Sequence, residues 1–360
     1  MGNKNVIILS IGTANPSVGN ILSEALNVDQ RLVSKILYCT PSVLFRQIDD
    51  ELAQKAETLL SQLGLELKIQ DTGEPLPPVP ELFDIALYIE NPENLPVINK
   101  QLSEFLGCSE QESFRLLLND PSIVLGGVSM ATAIALSKRI DAEVMVSNPQ
   151  SDLYTLRINS NDSVLIKQIH KFLHKSSIPI DNNSTSIENL DYKTGQEIWK
   201  RFQQTNQIQL INQSFQRFEI TLDSFDINNP KHKKILTEYV GMPEEILIEV
   251  AGNLPVILDE SVSKALLSEK IEIYTKAGLQ CSFRPIAIQK YFIIIDKIND
   301  IKKTTEIIKQ FFPDAAAPKQ GTKWVSPKPM QHLITRYIVR QLEDVGCAVE
   351  TETTNDYGSN

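Results

Sequence analysis

Short apolar runs alternate with amphipathic stretches along this chain, and the two patterns predict strands and helices respectively. Period-two apolar runs predict strands at Val6–Leu9, Phe83–Ile89 and Phe218–Leu222. Each run is followed by two short helical stretches, a proline, a short apolar segment, a long helical stretch and a last strand. The same order of elements therefore occurs three times in one chain.

These three occurrences are copies of one unit, because equivalent positions hold equivalent residue types. The copies cover Asn20–Ile69, Asn99–Val146 and Lys233–Phe283. In the second copy, Leu102 and Leu106 share the helix face that we expect to be buried. The shared residues are the prolines after the second helix (Pro41, Pro121, Pro255), the expected N-caps of the long helix (Asp49, Ser129, Ser261) and the glycines after it (Gly64, Gly278).

Two further copies are degenerate. The first has predicted strands at Tyr154–Ile158 and Ile208–Ile211 and helices at Leu165–Leu173 and Gly195–Phe202, with a predicted loop, Ser176–Asn189, in place of the second helix. The second has lost that helix as well, within Ala315–Lys319. Its predicted elements are a strand at Tyr291–Ile295, a helix at Thr304–Phe312, a long helix at Pro329–Val345 capped by Gly346, and a strand at Cys347–Glu350.

The predicted fold class is therefore α/β (α+β), with about five tandem small βααβαβ domains arranged as beads or as a stacked array. A segment with four prolines, TGEPLPPVPE, should form a stiff extended linker after the first domain. The predicted boundaries are 1–71 for repeat 1, 72–81 for the linker, 82–148 for repeat 2, 151–214 for repeat 3, 216–286 for repeat 4, 289–352 for repeat 5 and 353–360 for a polar tail.

Repeat 2 resembles the C-terminal domain of the bacterial ribosomal stalk protein L-seven/L-twelve. The resemblance lies in the Leu106-Gly107 helix break, the acidic residues Glu110 and Glu112, the Asp120-Pro121 pair and Gly127-Val128-Ser129 before the long helix. The adaptor of the Clp protease shares that fold. The resemblance implies a protein-binding module in each repeat.

The GTPase-recruiting role of the stalk family is not implied here. That family presents lysines on its second helix, whereas the corresponding stretches of this chain, Asp29–Leu37, Ser109–Leu118 and Pro243–Val250, are largely acidic or neutral. The dimerisation segment of the stalk protein is also missing. Fold resemblance by itself leaves the function open.

Charge argues against nucleic acid as a partner. The 360 residues include 35 Lys and Arg against 45 Asp and Glu, a net charge of -10, and no short run is rich in lysine and arginine. No apolar run approaches the length of a membrane span or a secretory signal, and the four cysteines form no closely spaced pair. We therefore expect a protein of the reducing cytoplasm.

Candidate chemistry is sparse. His170 and His174 are four residues apart on a predicted helix, but no HExxH motif is present, so we interpret them as solvated. Gly126-Gly127 is interpreted as a turn, and Cys281 and Cys347 as core thiols. The sequence predicts no catalytic residue, no metal site, no cofactor and no small-molecule substrate.

The remaining signal is a surplus of apolar residues on short helices, more than one small core can cover. The sequence predicts that the protein is a non-enzymatic scaffold or adaptor that self-associates or binds a protein partner, with a subunit of a larger bacterial assembly as one form of this role. An enzyme with a site between repeats, or a degradation adaptor for a protease, remains the alternative. The candidate interaction residues are Phe114, Leu117 and Leu118 in repeat 2 and Ile246, Leu247 and Val250 in repeat 4.

Overall fold

The computed structural model describes residues 2–119, 121–160, 162–175, 185–286 and 290–354. The predicted mixed α/β class is confirmed, because five small antiparallel sheets each pack with helices in these residues. In repeat 1 the elements are β1 (Lys4–Ser10), α1 (Ser17–Leu26), α2 (Gln30–Tyr38), β2 (Ser42–Ile48), α3 (Asp50–Gln62) and β3 (Glu66–Asp71). In repeat 2 they are β4 (Phe83–Tyr88), α4 (Leu95–Leu106), α5 (Glu110–Leu117), β5 (Ser122–Val128), α6 (Met130–Ser137) and β6 (Glu143–Ser147).

The remaining three repeats keep a sheet but vary in their helices. Repeat 3 contains β7 (Tyr154–Ile158), α7 (Ser163–Lys175), β8 (Ser186–Leu190), α8 (Tyr192–Phe202) and β9 (Ile208–Asn212). Repeat 4 contains β10 (Arg217–Ser224), α9 (Pro230–Lys234), a π-helical turn (Ile235–Tyr239), a 3-10 turn (Glu244–Ile246), α10 (Leu247–Gly252), β11 (Val256–Ser263), α11 (Lys264–Ala277) and β12 (Gln280–Pro285). Repeat 5 contains β13 (Lys290–Lys297), α12 (Ile301–Phe311), β14 (Trp324–Val325), β15 (Met330–Gln331), α13 (His332–Asp344) and β16 (Ala348–Thr353).

Every sheet places its first strand in the centre. In repeats 1 to 4 the second and third strands of the repeat flank the first, and in repeat 5 the strands β14, β15 and β16 all pair with β13. In repeats 1, 2 and 4 the register of the first and second strands shifts at two places near the middle of the ladder. Such a shift inserts an extra residue and bends the second strand towards the long helix that follows.

Local capping explains where several helices begin and end. Asp49 caps α3 by accepting a hydrogen bond from the Leu52 N–H at 2.8 Å, and Ser109 and Glu112 form a reciprocal capping box at the start of α5. Gly64 and Gly278, after α3 and α11, have φ of 93° and 92°, as predicted, because a residue with a Cβ would be strained there.

The structure corrects three local predictions. Ser261 lies inside β11, and Ser263 is the residue that precedes α11. The long helix of repeat 5 begins at His332 rather than Pro329, because Met330 and Gln331 pair with β13 as a short strand. The Gly126-Gly127 pair belongs to β5 instead of forming a turn, and the Gly127 N–H donates to Asp84 Oδ1 at 3.0 Å.

A fourth correction concerns the loop predicted at Ser176–Asn189. Residues 176–184 lie outside the described residues, but Ser186 to Asn189 belong to strand β8, which pairs with β7. A serine- and asparagine-rich composition therefore did not prevent strand formation. Ile187 and Leu190 supply the reason, since both side chains are buried in the core of repeat 3.

Buried apolar side chains form separate core clusters in repeats 3 and 4. In repeat 2 the buried set is contributed by β4, α4, α5 and α6, and Leu102 on α4 is fully inaccessible. Leu106 is only half-buried, so the prediction that it shares the buried face with Leu102 is corrected. The representative buried residues of this repeat are Ile85, Ile98, Leu102, Phe105, Leu117 and Leu136.

The chain divides into two compact units. The first comprises Met1–Pro149, Ile295–Lys323 and Leu333–Val349, and the second comprises Gln150–Ile294, Trp324–His332 and Glu350–Asn360. Repeats 1 and 2 lie in the first unit and repeats 3 and 4 in the second, while repeat 5 contributes to both. Among the described residues, no helix is both long and apolar enough to cross a membrane.

The burial difference along α4 gives a stability test. Leu102→Asp places an unpaired carboxylate in a fully buried position and should lower the free energy of unfolding by at least about 3 kcal/mol. Val97→Asp on the same helix is the control, since Val97 is 55% exposed. Thermal unfolding followed by circular dichroism measures both, and equal melting temperatures for the two variants would contradict the assigned core.

Candidate protein-interaction surfaces

The long helix of repeat 2 docks end to end on the second helix of repeat 1. Tyr38 is the last residue of α2, and its carbonyl oxygen accepts hydrogen bonds from the Ser129 N–H at 2.9 Å and from Thr132 Oγ1 at 2.8 Å. The start of a helix has unpaired N–H groups and the end has unpaired C=O groups, with dipoles that attract one another in this order. The contact therefore satisfies groups on both helices at once.

Arg139, just after α6, makes a second contact with repeat 1. Its guanidinium donates to the backbone oxygens of Gly12 and Ala14, the latter at 3.1 Å, in the loop between β1 and α1. The guanidinium carbon also lies 5.1 Å from the centre of the Phe105 ring. Partial burial lowers the pKa of Arg139, but arginine stays protonated in proteins, so a charged donor serves these carbonyls.

The long helix of repeat 5 binds the equivalent loop of repeat 2. Arg336 on α13 donates to the hydroxyl of Tyr88 at 3.3 Å, to the backbone oxygen of Ile89 at 3.1 Å and to that of Glu90. One turn later, Arg340 Nε donates to Glu93 Oε1 at 2.6 Å. This hydrogen bond from Arg340 lowers the pKa of the exposed Glu93 carboxyl.

Two repeats thus dock in the same way: an arginine on or just after the long helix of one binds backbone oxygens in the loop between the first strand and first helix of another. We call this loop the acceptor loop. It comprises residues 11–16 in repeat 1 and residues 89–91 in repeat 2. A loop whose carbonyls are covered by a neighbouring repeat needs donors from that neighbour, which arginine supplies in a planar fork.

The exposure of the third residue in each long helix differs between the docked helices and α3. Thr132 of α6 is fully buried and Ile334 of α13 is 4% exposed, whereas the equivalent Leu52 of α3 is 50% exposed. Leu59, two turns further along α3, is 62% exposed. We call the side of α3 formed by Glu51, Leu52, Gln54, Lys55, Thr58 and Leu59 the outer face of α3.

The six apolar residues predicted from sequence fall into three groups by exposure. Leu117 and Leu247 are each only 1% exposed and supply the cores of their own repeats, so they are not available to a partner. Ile246 is 39% exposed. Phe114 and Leu118 on and after α5, and Val250 on α10, are half-buried.

Ile248 is an exposed apolar residue that sequence reasoning missed. It is 76% exposed and follows the buried Leu247 directly, so Ile246 and Ile248 both point away from the core residue between them. The signal in the sequence was three consecutive apolar residues, Ile246 to Ile248, where the 3-10 turn meets the six-residue helix α10, because only one face of such a short helical segment can contact the core. Exposed glutamates surround the pair at Glu244, Glu245 and Glu249.

In repeat 4, three ionisable side chains form a hydrogen-bonded cluster apart from the docking contacts. Asp259 on β11 accepts hydrogen bonds from Lys270 Nζ and, at 2.6 Å, from the Tyr274 hydroxyl. Burial is the main cause that raises the pKa of Tyr274, and the hydrogen bond to Asp259 adds to it. Burial also raises the pKa of the nearby Cys281 thiol to about 11. Neither group ionises near pH 7, so neither is an activated nucleophile, and the cluster ties α11 to β11.

The histidines lie in different surroundings. His170 is 5% exposed, so the expectation that both it and His174 are solvated is wrong for His170, which sits among the core residues of repeat 3. His232 Nδ1 accepts a hydrogen bond from the Asp226 N–H at 2.9 Å and so fixes the turn before α9. The described residues hold no group of three or more His, Cys, Asp and Glu that could bind a metal ion.

Comparison with models of protein families, with curated proteins and with solved structures gives no match to this chain. The features that bear on function are the docking contacts of α6 and α13, the outer face of α3 and the exposed isoleucines of repeat 4.

Arg139 provides a test of the docking contact between repeats 1 and 2. Arg139→Met keeps an unbranched apolar stem but removes the donors to Gly12 and Ala14, which should cost about 2 kcal/mol and speed amide exchange in residues 11–19. Lys138→Met is the matched control, because Lys138 is exposed and adjacent. Hydrogen–deuterium exchange measures the effect, and equal exchange in both variants would argue against the contact.

The Asp259 cluster provides a test with a pH dependence. Tyr274→Phe removes one hydrogen bond to Asp259 and should destabilise the protein by roughly 1 kcal/mol at pH 7. Because the pKa of Tyr274 is raised above its ordinary value of 10.0 in the folded state, this advantage of the wild type is full below pH 10 and shrinks as the pH rises further. Urea unfolding at pH 7 and above pH 10 measures it, and a difference that grows at high pH would contradict the assignment.

Proposed function

We propose that this protein is a non-enzymatic scaffold or adaptor that binds other proteins through its repeats. The observation that carries the proposal is the docking of α6 and α13 on acceptor loops, since the repeat unit already recognises a protein surface twice within one chain. Burial raises the pKa values of Tyr274 and Cys281 in the Asp259 cluster, which favours a structural role for this cluster.

The partner surface that we propose is the exposed pair Ile246 and Ile248. Two β-branched aliphatic side chains with acidic neighbours fit a partner with an apolar groove and a basic rim. The Glu244 side chain is 71% exposed although its Oε1 lies 3.8 Å from Lys233 Nζ, so its charge is available to such a partner. We call this group, Ile246 and Ile248 with Glu244, Glu245 and Glu249, the repeat 4 patch.

The stalk-like resemblance supports this choice of surface. The stalk family presents its partner-binding lysines on the second helix of the unit, and the repeat 4 patch lies at the second helix of repeat 4. The reversed charge argues for a partner other than a translational GTPase. Four free cysteines and the absence of any closely spaced pair support a reducing cytoplasm as the location.

A capture experiment tests the repeat 4 patch. The double variant Ile246→Asp and Ile248→Asp should keep its melting temperature and lose its captured proteins, because both side chains are exposed and charge would be buried in the complex. Val164→Asp in repeat 3 is the matched control, since Val164 is 60% exposed. Affinity capture from native lysate with quantitative mass spectrometry measures the loss. Equal recovery of the same proteins by both variants would contradict the assignment.

A further inference from the structure

We propose that the outer face of α3 binds a second copy of this chain at the acceptor loop of repeat 5, so that copies join head to tail. This inference rests on the proposed function, because it treats the repeat as a protein-binding unit. It names the surface and the partner for self-association, separately from the repeat 4 patch.

The long helices dock in a regular order within the chain. The long helix of repeat 2 occupies the acceptor loop of repeat 1, and the long helix of repeat 5 occupies the acceptor loop of repeat 2. Within the first unit, repeat 1 has a long helix whose docking face is exposed, and repeat 5 has a third loop of the same kind. A contact of α3 with the loop of repeat 5 in another copy continues the same series.

The outer face of α3 exposes two large apolar side chains. Leu52 occupies the position that is fully buried in α6 and nearly so in α13, yet it is 50% exposed, and Leu59 is 62% exposed. Leu52 and Leu59 are seven residues apart and so lie on one side of the helix. Burying both side chains would remove apolar surface from water and so favour an interface.

The loop after the first strand of repeat 5 resembles the acceptor loop of repeat 2, which α13 contacts. In repeat 2 the buried Ile89 is followed by Glu90 and by Asn91, whose side chain caps the next helical turn. In repeat 5 the buried Ile298 is followed by Asn299 and by Asp300, whose side chain caps α12. The equivalent backbone oxygens therefore belong to Ile298 and Asn299, and Asn299 is exposed.

Charge is complementary across the proposed contact. The Arg340–Glu93 pair joins α13 to the first helical turn after the acceptor loop of repeat 2. In the proposed contact the signs are reversed, because α3 presents Glu51 and the first turn of α12 presents Lys302. Glu51 is 79% exposed although it pairs with Lys55 on its own helix, so it can exchange partners at low cost.

The long helix of repeat 4, α11, does not take the place of α3 in this contact, although its third residue, Leu266, is also exposed, at 51%. The first residue of α11, Lys264, already reaches repeat 3, with its Nζ 3.1 Å from Glu188 Oε2. The same Nζ lies 5.2 Å from the centre of the Phe218 ring within repeat 4. The start of α3 makes its cap within its own repeat, through Asp49. Leu266→Asp is therefore the matched control for a change on α3.

Sedimentation velocity of the full chain over a range of protein concentrations tests the proposal. We expect the wild type and Leu266→Asp to form dimers or longer species as concentration rises, and the double variant Leu52→Asp and Leu59→Asp to stay monomeric with an unchanged melting temperature. A wild type that is monomeric throughout, or a double variant that associates like the wild type, would overturn the proposal.

Mixing two variants tests the head-to-tail geometry. Ile301→Asp changes the acceptor side, where Ile301 is 43% exposed at the start of α12, and the α3 double variant changes the donor side. Neither should self-associate, but an equal mixture should form a dimer with one copy of each, since one intact donor and one intact acceptor remain. A mixture that stays monomeric would exclude this pairing of surfaces.

The self-association test and the capture test fail independently. A monomeric wild type that still captures partners through Ile246 and Ile248 would overturn only the α3 contact. A self-associating wild type whose captured proteins do not depend on these isoleucines would overturn only the repeat 4 patch.

Discussion

The hydrogen bonds that backbone carbonyls accept from a neighbouring repeat are the interaction on which the association of repeats in the first unit depends. A carbonyl covered by another repeat loses its water, and leaving it without a donor costs about 1 to 3 kcal/mol. Arg139 supplies donors to the acceptor loop of repeat 1 and Arg336 to that of repeat 2, while the start of α6 serves the end of α2. These contacts join small units that have marginal cores alone.

The same requirement explains why the repeats differ in sequence although they share a sheet. The two long helices that dock within the chain, α6 and α13, each have an arginine on the helix or just after it, and each buries its third residue. A long helix that does not dock within the chain keeps exposed leucines, as α3 does at Leu52 and Leu59. The sequence differences between repeats therefore follow the neighbour that each long helix contacts. We propose that function lies at the helix faces that remain exposed.

Much of the local structure could be predicted from the residues. Alternating apolar residues located the central strands, and Asp49, Gly64 and Gly278 marked helix ends, because capping and left-handed backbone depend on only a few neighbouring residues. The predictions were wrong where pairing with a neighbouring strand outweighed the structure that the local sequence favours. Met330 and Gln331 pair with β13 instead of opening the long helix, and Ser186 to Asn189 form a strand despite their composition.

The sequence by itself determined the order of elements, the α/β class and the surplus of apolar residues, since these follow from periodicity and residue type. Only the tertiary structure decided which apolar residues are surplus. Leu247 is buried while Ile246 and Ile248 are exposed, and Leu52 is exposed while Thr132 at the same position is buried. Burial depends on what packs against a helix from distant parts of the chain, and Arg139 meets Gly12 across more than a hundred residues. No pattern within one repeat contains that information.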